Sequence, residues 1–143
     1  MFQSNLNFVR KLIDENAPLE QVIAAAAQFI SIVEEYLECA ELELDVAGRE
    51  RWHAAFESVA FALERLNGNF PDLQLQGNVD FIRSSYRRGA PVDGILMFIG
   101  RTLDAIRAPI SFKPGMETNT ELAEEAMETL YAGLNVIGKI SIF

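Results

Sequence analysis

The sequence predicts an all-α protein of about six helices, built as two tandem three-helix units packed into one bundle. The first observation is an ungapped internal match of residues 5–23 to residues 78–96, in which five of nineteen positions are identical and seven are conservative exchanges. The second is that apolar residues recur at helical spacing in both halves. Neither unit is large enough to bury a core alone, so we expect one domain with repeat units at about 5–68 and 78–138.

The first helix of each unit is predicted from matching start and stop signals. The start is an Asn whose side chain can accept an unpaired backbone N–H. The stop is a residue that tolerates left-handed backbone angles, followed two residues later by proline. In the two units these signals are Asn5, Asn16 and Pro18, and Asn78, Gly89 and Pro91. They predict helices over residues 6–15 and 79–88, each followed by a tight turn.

The second and third helices are predicted from the length of the apolar periodicity and its interruptions. The second helix extends from Pro18 to about residue 47, where Gly48 interrupts it, and from Pro91 only to about residue 108, because Pro109 follows. The third helices and the link between the units are placed at residues 49–67, 118–138 and 69–77. A capping box of Thr118 and Glu121 begins the last helix, and the link is expected to be extended.

Composition limits the class of protein. A hydrophobic content of 50% excludes a mainly disordered chain, and the single cysteine, Cys39, cannot form an internal disulfide. Residues 1–11 lack the apolar core of a signal peptide. The longest apolar stretch, residues 22–33, is shorter than the roughly 18 residues that suggest a membrane span. The sequence therefore predicts a cytoplasmic protein.

The net charge of −9 is concentrated in the first half of the chain. Residues 1–70 contain 5 Lys and Arg against 12 Asp and Glu, whereas residues 71–110 contain 5 against 4. An acidic field repels nucleic acid and anionic membranes and accelerates encounter with a basic protein. We therefore expect a basic protein partner, no direct contact with nucleic acid and no contact with membranes.

Four acidic residues, which we call the acidic ridge, form the sharpest surface feature. Glu34, Glu38, Glu41 and Asp45 are spaced by four, three and four residues, so they lie along one side of the predicted second helix. Like charges one turn apart destabilise a helix, and no Lys or Arg intervenes. This cost favours a docking surface for a basic partner, whereas the alternative is an ordinary solvated helix face.

Arginines make the second unit locally basic. Arg83, Arg87 and Arg88 are candidates for an anion site, or for self-association with the acidic ridge of another copy, which would give a homo-oligomer. The alternative is that these side chains form ion pairs within the chain and cover apolar surface with their stems.

A metal site and a catalytic site have less support. Glu50, His53 and Glu57 have the spacing with which helical bundles bind metal, but the second unit offers no histidine to complete such a site. Cys39 and His53 are the sole candidates for a nucleophile and base, and Cys39 lies among acidic residues that oppose thiolate formation. The sequence predicts neither an enzyme nor a cofactor.

These features together predict a non-catalytic protein-binding protein, such as an inhibitor, an immunity-type protein or an adaptor, which presents an acidic helix face to a basic partner. Two alternatives remain open. One is a small-molecule or metal-binding helical bundle, and the other is a self-assembling structural protein.

Overall fold

The structure, a computed structural model, describes residues 2–38, 46–111 and 121–140. Over these ranges the chain forms six α-helices, one short 3-10 helix and no strand, which confirms the predicted all-α class. The helices are α1 (Phe2–Asp14), α2 (Leu19–Glu38), α3 (Val46–Asn69), α4 (Gln76–Arg87), α5 (Val92–Ser111) and α6 (Glu121–Ile140). The 3-10 helix, Pro71–Leu73, connects α3 to α4.

The helices share one hydrophobic core. The two most extensive contacts between helices join α2 to α5 and α3 to α6. On either side, α1 packs against α2 and α6, and α4 packs against α5 and α3. Each helix contributes fully buried side chains, among them Leu6, Ile23, Trp52, Ile82, Leu96 and Leu134. Burial of this apolar surface is the main force that holds the bundle together.

Close contact between α3 and α6 depends on a glycine. A Cβ atom added to Gly133 would lie 3.0 Å from Val59 Cγ2 and 3.2 Å from the backbone oxygen of Ala55. The second of these atoms cannot move without displacing α3. Gly133 therefore allows the two helices to approach more closely than any larger residue would.

The turns that follow α1 and α4 have the same construction. Asn16 (φ 54°) and Gly89 (φ 81°) both adopt the left-handed conformation predicted from their sequence context. The N–H of Ala17 donates to the oxygen of Leu12 at 2.9 Å, and the N–H of Ala90 donates to that of Ser85 at 3.0 Å. Each turn thereby satisfies carbonyl groups at the end of its helix and directs the chain into the next one.

The predicted caps at Asn5 and Asn78 are wrong, because both residues lie inside helices that begin earlier. α4 begins at Gln76, since the N–H of Leu75 donates to Asn67 Oδ1 at 2.8 Å and fixes the chain there. Asn78 instead uses its side chain between helices, where Nδ2 donates to Thr102 Oγ1 at 3.0 Å.

Three other predicted boundaries are also wrong. Gly48 lies within α3 and does not interrupt the chain there, and α5 continues past Pro109 to Ser111. A proline in the last turn removes only one hydrogen bond, so the helix tolerates it. The link expected to be extended contains the 3-10 helix instead. Residues 39–45 and Thr118, on which the longer second helix and the capping box depended, lie outside the described ranges.

None of the helices described here is long and apolar enough to cross a membrane.

Candidate functional site

The structure describes the first part of the acidic ridge, at the end of α2. Glu34 is half-buried, and Glu38 is the last residue of the helix. Ile30, Val33 and Leu37 on the opposite side are buried, so this turn of α2 is held by its apolar face. Glu41 and Asp45, the other two residues of the acidic ridge, lie outside the described residues.

An open groove of about 600 Å³ lies along α2, before the acidic ridge. We call it the Phe8 groove, because the Phe8 side chain, which is 51% exposed, forms one of its sides. The other apolar lining residues are Leu12 of α1 and Ala24, Ala25 and Ala27 of α2. Ala24 is partly exposed, whereas Ala25 and Ala27 are each 6% exposed.

The remaining lining of the Phe8 groove is polar and partly acidic. Arg107 of α5 lies 3.7 Å from a carboxylate oxygen of Glu20 and 3.7 Å from one of Asp104. Gln28 and Ser31 of α2 line the groove as well. Among the described lining residues, two carboxylates accompany one arginine at this edge, so the charge of this described lining is negative.

The Phe8 groove and the first two positions of the acidic ridge, Glu34 and Glu38, follow one side of α2. Ala27, Ser31, Glu34 and Glu38 are separated by four, three and four residues, the spacing of one helix face. At 1.5 Å per residue, Glu38 lies about 10 Å along the axis from Ser31. A single ligand segment could therefore contact both features.

The corresponding positions of α4 and α5 are filled. At an offset of 73 residues, Phe8 corresponds to Phe81, and Ala25 corresponds to Phe98. The rings of Phe81 and Phe98 are in contact, with centroids 4.3 Å apart. Met97 stands where α2 has Ala24. At these corresponding sequence positions, Phe81 has an aromatic neighbour in contact, whereas Phe8 is matched with an alanine.

Arg83 forms ion pairs within the chain. Its Nη1 donates to Glu64 Oε2 at 2.8 Å and its Nε donates to Glu57 Oε2 at 3.3 Å. The hydrogen bond to Glu64 is the main cause of the raised pKa of Arg83. These contacts attach α4 to α3, so the guanidinium already has two carboxylate partners. Arg83 therefore forms the internal pairs that were the alternative to an anion site.

Arg87 and Arg88 lie at the end of α4 and are exposed. Arg87 lines a second open cavity, of about 670 Å³, together with Arg49 of α3 and Asp93 at the start of α5. Tyr86 also lines this cavity, its hydroxyl donates to the backbone oxygen of Arg49, and burial raises its pKa. Arg87 therefore faces a different environment from Arg83, one turn earlier.

Of the three candidate metal residues, His53 contacts both Tyr86 and Glu57. The ring of His53 stacks on that of Tyr86 with centroids 5.5 Å apart, and His53 Nε2 lies 3.9 Å from Glu57 Oε1. The other carboxylate oxygen of Glu57 accepts the hydrogen bond from Arg83, while Glu50 is exposed. No group of three potential metal ligands occurs within residues 2–38, 46–111 and 121–140. Cys39 lies outside these ranges.

Sequence reasoning missed an ion pair that joins α1 to α6. Arg10 donates from Nη1 to Glu128 Oε2 at 2.7 Å, and its Nη2 contacts both Glu128 Oε1 and Asp14. The hydrogen bond to Arg10 lowers the pKa of Glu128 and raises that of Arg10. The signal was available, because Arg10 corresponds to Arg83 and Glu128 corresponds to Glu57.

Comparisons of the chain with protein-family models, with curated proteins and with solved structures found no match in any of the three.

Proposed function

We propose that this chain is a non-catalytic, cytoplasmic protein-binding protein, of the inhibitor, immunity or adaptor kind, whose α2 face docks on a basic protein. The observation that carries the proposal is the excess of acid in residues 1–70, with 12 Asp and Glu against 5 Lys and Arg. A field of this sign attracts a basic partner and accelerates association.

The ion pairs of the bundle support this proposal. Arg10 and Arg65, two of the five basic residues before residue 70, are paired with the α6 carboxylates of Glu128 and Glu125. Their positive charge is therefore matched by α6, while Arg83 and Arg107 of the second half pair with Glu57, Glu64 and Glu20 of the first. The acidic ridge begins at Glu34, one turn after the Phe8 groove, so charge and accessible apolar surface are adjacent. Interfaces commonly combine a polar rim with an apolar centre in this way.

Affinity capture tests the proposal. The tagged protein is incubated with native lysate at low and moderate salt, beside a variant in which Glu34, Glu38 and Glu41 become Gln and Asp45 becomes Asn. A control variant, with D72N, D80N, D93N and E124Q, removes the same number of charges outside α2. We expect a basic protein to be recovered by the wild type and the control, and lost from the ridge variant and at higher salt. Equal recovery by both variants would remove the proposal.

We further propose that the two halves arose by internal duplication and pack as equivalent three-helix units. Matching hydrogen bonds in the turns at Asn16 and Gly89 support this proposal. So do the helix contacts, since α1 with α6 corresponds to α4 with α3. The ion pairs Arg10–Glu128 and Arg83–Glu57 form at corresponding positions. Expression of a half-chain, residues 1–70 or 71–143, tests the idea directly. A soluble half-chain that forms a helical dimer would support it.

A small-molecule-binding bundle is the second candidate, and the cavity beside Arg87 favours it. Arg49 and Arg87 would attract an anionic group to this cavity, and the carboxylate of Asp93 would partly offset their attraction. Titration with inorganic phosphate, followed by the backbone amide shifts of residues 86–93, tests this candidate. Saturable shifts that R87Q abolishes and R101Q retains would support it, and an absence of shifts in the wild type would remove it.

A further inference from the structure

We propose that the Phe8 groove accepts one aromatic side chain of the basic partner, in the position that Phe98 occupies beside Phe81. The inference rests on the proposed function and adds the chemistry of the partner: an aromatic residue flanked by Lys or Arg.

The position that corresponds to Ala25 carries an aromatic ring in the second half. There the Phe81 ring has Phe98 as a neighbour, with 4.3 Å between centroids. In the first half the groove at Phe8 is bordered by Ala25, which is 6% exposed. The rings of Phe8 and Phe81 are similarly exposed, at 51% and 49%. The second half therefore shows that this corner of the fold accommodates an aromatic pair, and the first half has an alanine at the position of the second ring.

The groove combines apolar and polar side chains. Its apolar part is Phe8, Leu12 and Ala24, with Ala25 and Ala27 nearly covered, and this part offers a contact surface to the face or edge of a ring. Aromatic side chains that enter apolar pockets with a polar rim are the typical anchors of protein interfaces. An aliphatic side chain would fill the space, but would not gain the ring contact with Phe8.

The described charges around the groove are mainly acidic. Glu20 and Asp104 lie at one edge, where Arg107 is the one cation among the described lining residues, and Glu34 lies one helical turn beyond Ser31 on α2. A basic segment can therefore place its ring in the groove while its cations lie near the acidic residues at its edges. An acidic or neutral aromatic segment lacks this second contribution.

Two capped pentapeptides test the inference, Lys-Lys-Phe-Lys-Lys and Lys-Lys-Ala-Lys-Lys, titrated into the ¹⁵N-labelled protein. We expect the first to bind about tenfold more tightly, because burial of an aromatic side chain changes affinity by one or two orders of magnitude. Titration with the first peptide should shift the amide resonances of Phe8, Ala24 and Ser31. A25F, which supplies the missing ring from the protein itself, should reduce the affinity of the first peptide to that of the second.

A pair of matched variants, F8A and F81A, distinguishes loss of a binding contact from an effect on folding. F8A removes the exposed ring that the ligand contacts and should lower the affinity for the aromatic peptide about tenfold. F81A removes the corresponding ring of the other half and should leave the affinity for the aromatic peptide unchanged. Equal affinities of the two peptides, or equal effects of F8A and F81A, would overturn the inference.

The outcomes separate this inference from the proposed function. Two peptides that bind equally, and weaken together as salt rises, would retain docking by charge and remove the aromatic anchor. A tenfold preference for the aromatic peptide without salt dependence would retain the groove as a binding site and remove the acidic docking role.

Discussion

The corner between α1 and α2 and the corner between α4 and α5 use the same backbone hydrogen bonds but carry different side chains. At the first corner, Phe8 borders a groove formed by alanines. At the second, Phe81 packs on Phe98. The turn at Asn16 and the turn at Gly89 set the direction of the following helix in the same way. The comparison shows that the scaffold depends on the turn and the buried face, and that the exposed face can change independently.

The charged residues can also be divided into those that recur at corresponding positions of the two halves and those that do not. Arg10 and Arg83 stand at corresponding positions and both pair with a helix of the other half, Arg10 with Glu128 and Arg83 with Glu57. These pairs attach the first helix of each half to the third helix of the other. The acidic ridge, by contrast, has no acidic counterpart at the corresponding sequence positions of the second half. Features that recur therefore concern assembly of the bundle, and features that do not recur are the better candidates for function.

The largest expected effect concerns equivalent core positions. Leu63 of α3 and Leu134 of α6 are 2% and 0% exposed and correspond at an offset of 71 residues. L63A and L134A should each lower the free energy of unfolding by about 2–5 kcal/mol, because each leaves a cavity between α3 and α6. Urea unfolding followed by circular dichroism measures both. If one variant were near neutral, the two helices would not play equivalent parts in the core.

The next effect concerns the two turns. G89A forces a Cβ atom onto a residue with φ of 81° and should cost about 1–2 kcal/mol. G89N should cost less, because Asn adopts this conformation at Asn16 in the other half. The same unfolding experiment compares the variants. An Asn variant as unstable as the Ala variant would show that the two turns are not interchangeable.

A smaller effect distinguishes the two exposed rings. F8A and F81A each remove a ring that is about half buried, so both lose a similar hydrophobic contribution. F81A also removes the contact with Phe98 and should therefore cost about 0.5–1.5 kcal/mol more than F8A. Thermal unfolding of both variants provides the comparison. Equal losses would indicate that Phe8 is already packed by its neighbours, and would contradict an open groove.

The smallest effect is the pH dependence of the Arg10–Glu128 pair. Arg10 lowers the pKa of Glu128 in the folded state, so the unfolded state binds more protons between the two pKa values. The contribution is therefore complete above the ordinary pKa near 4.5 and is lost as pH falls through the lowered pKa. R10M should reduce stability by about 0.2–1 kcal/mol at neutral pH and should flatten its decrease in acid. Unchanged acid dependence would argue against the pair.

Local signals made much of the fold predictable. The pattern of Asn or Gly followed two residues later by Pro located the turns at Asn16 and Gly89, and apolar periodicity located all six helices. Helix starts were less predictable, because a cap depends on contacts that arrive from elsewhere. Asn67 is an example: its side chain accepts the N–H of Leu75 from the following segment and so allows α4 to begin before Asn78.

The candidate site was less accessible from sequence. Apolar periodicity shows that Ala24 and Ala25 lie near the buried face of a helix, but it does not show that Ala25 is covered while Ala24 stays partly exposed. The Phe8 groove depends on how α1 and α5 flank α2, which is a property of the assembled bundle. The pair of Arg10 with Glu128 likewise joins residues 118 positions apart. The repeat was the signal that could have indicated it, since both partners have counterparts.

The most direct test of the central claim is the salt dependence of binding to the basic partner. After the partner has been captured and purified, calorimetry measures its affinity for the wild type and for the ridge variant at several salt concentrations. Docking through the acidic face predicts that the affinity of the wild type decreases steeply with salt, and that the ridge variant binds more weakly with a shallower dependence. The D72N, D80N, D93N and E124Q control should behave as the wild type does. Identical slopes for the wild type and the ridge variant would contradict the account.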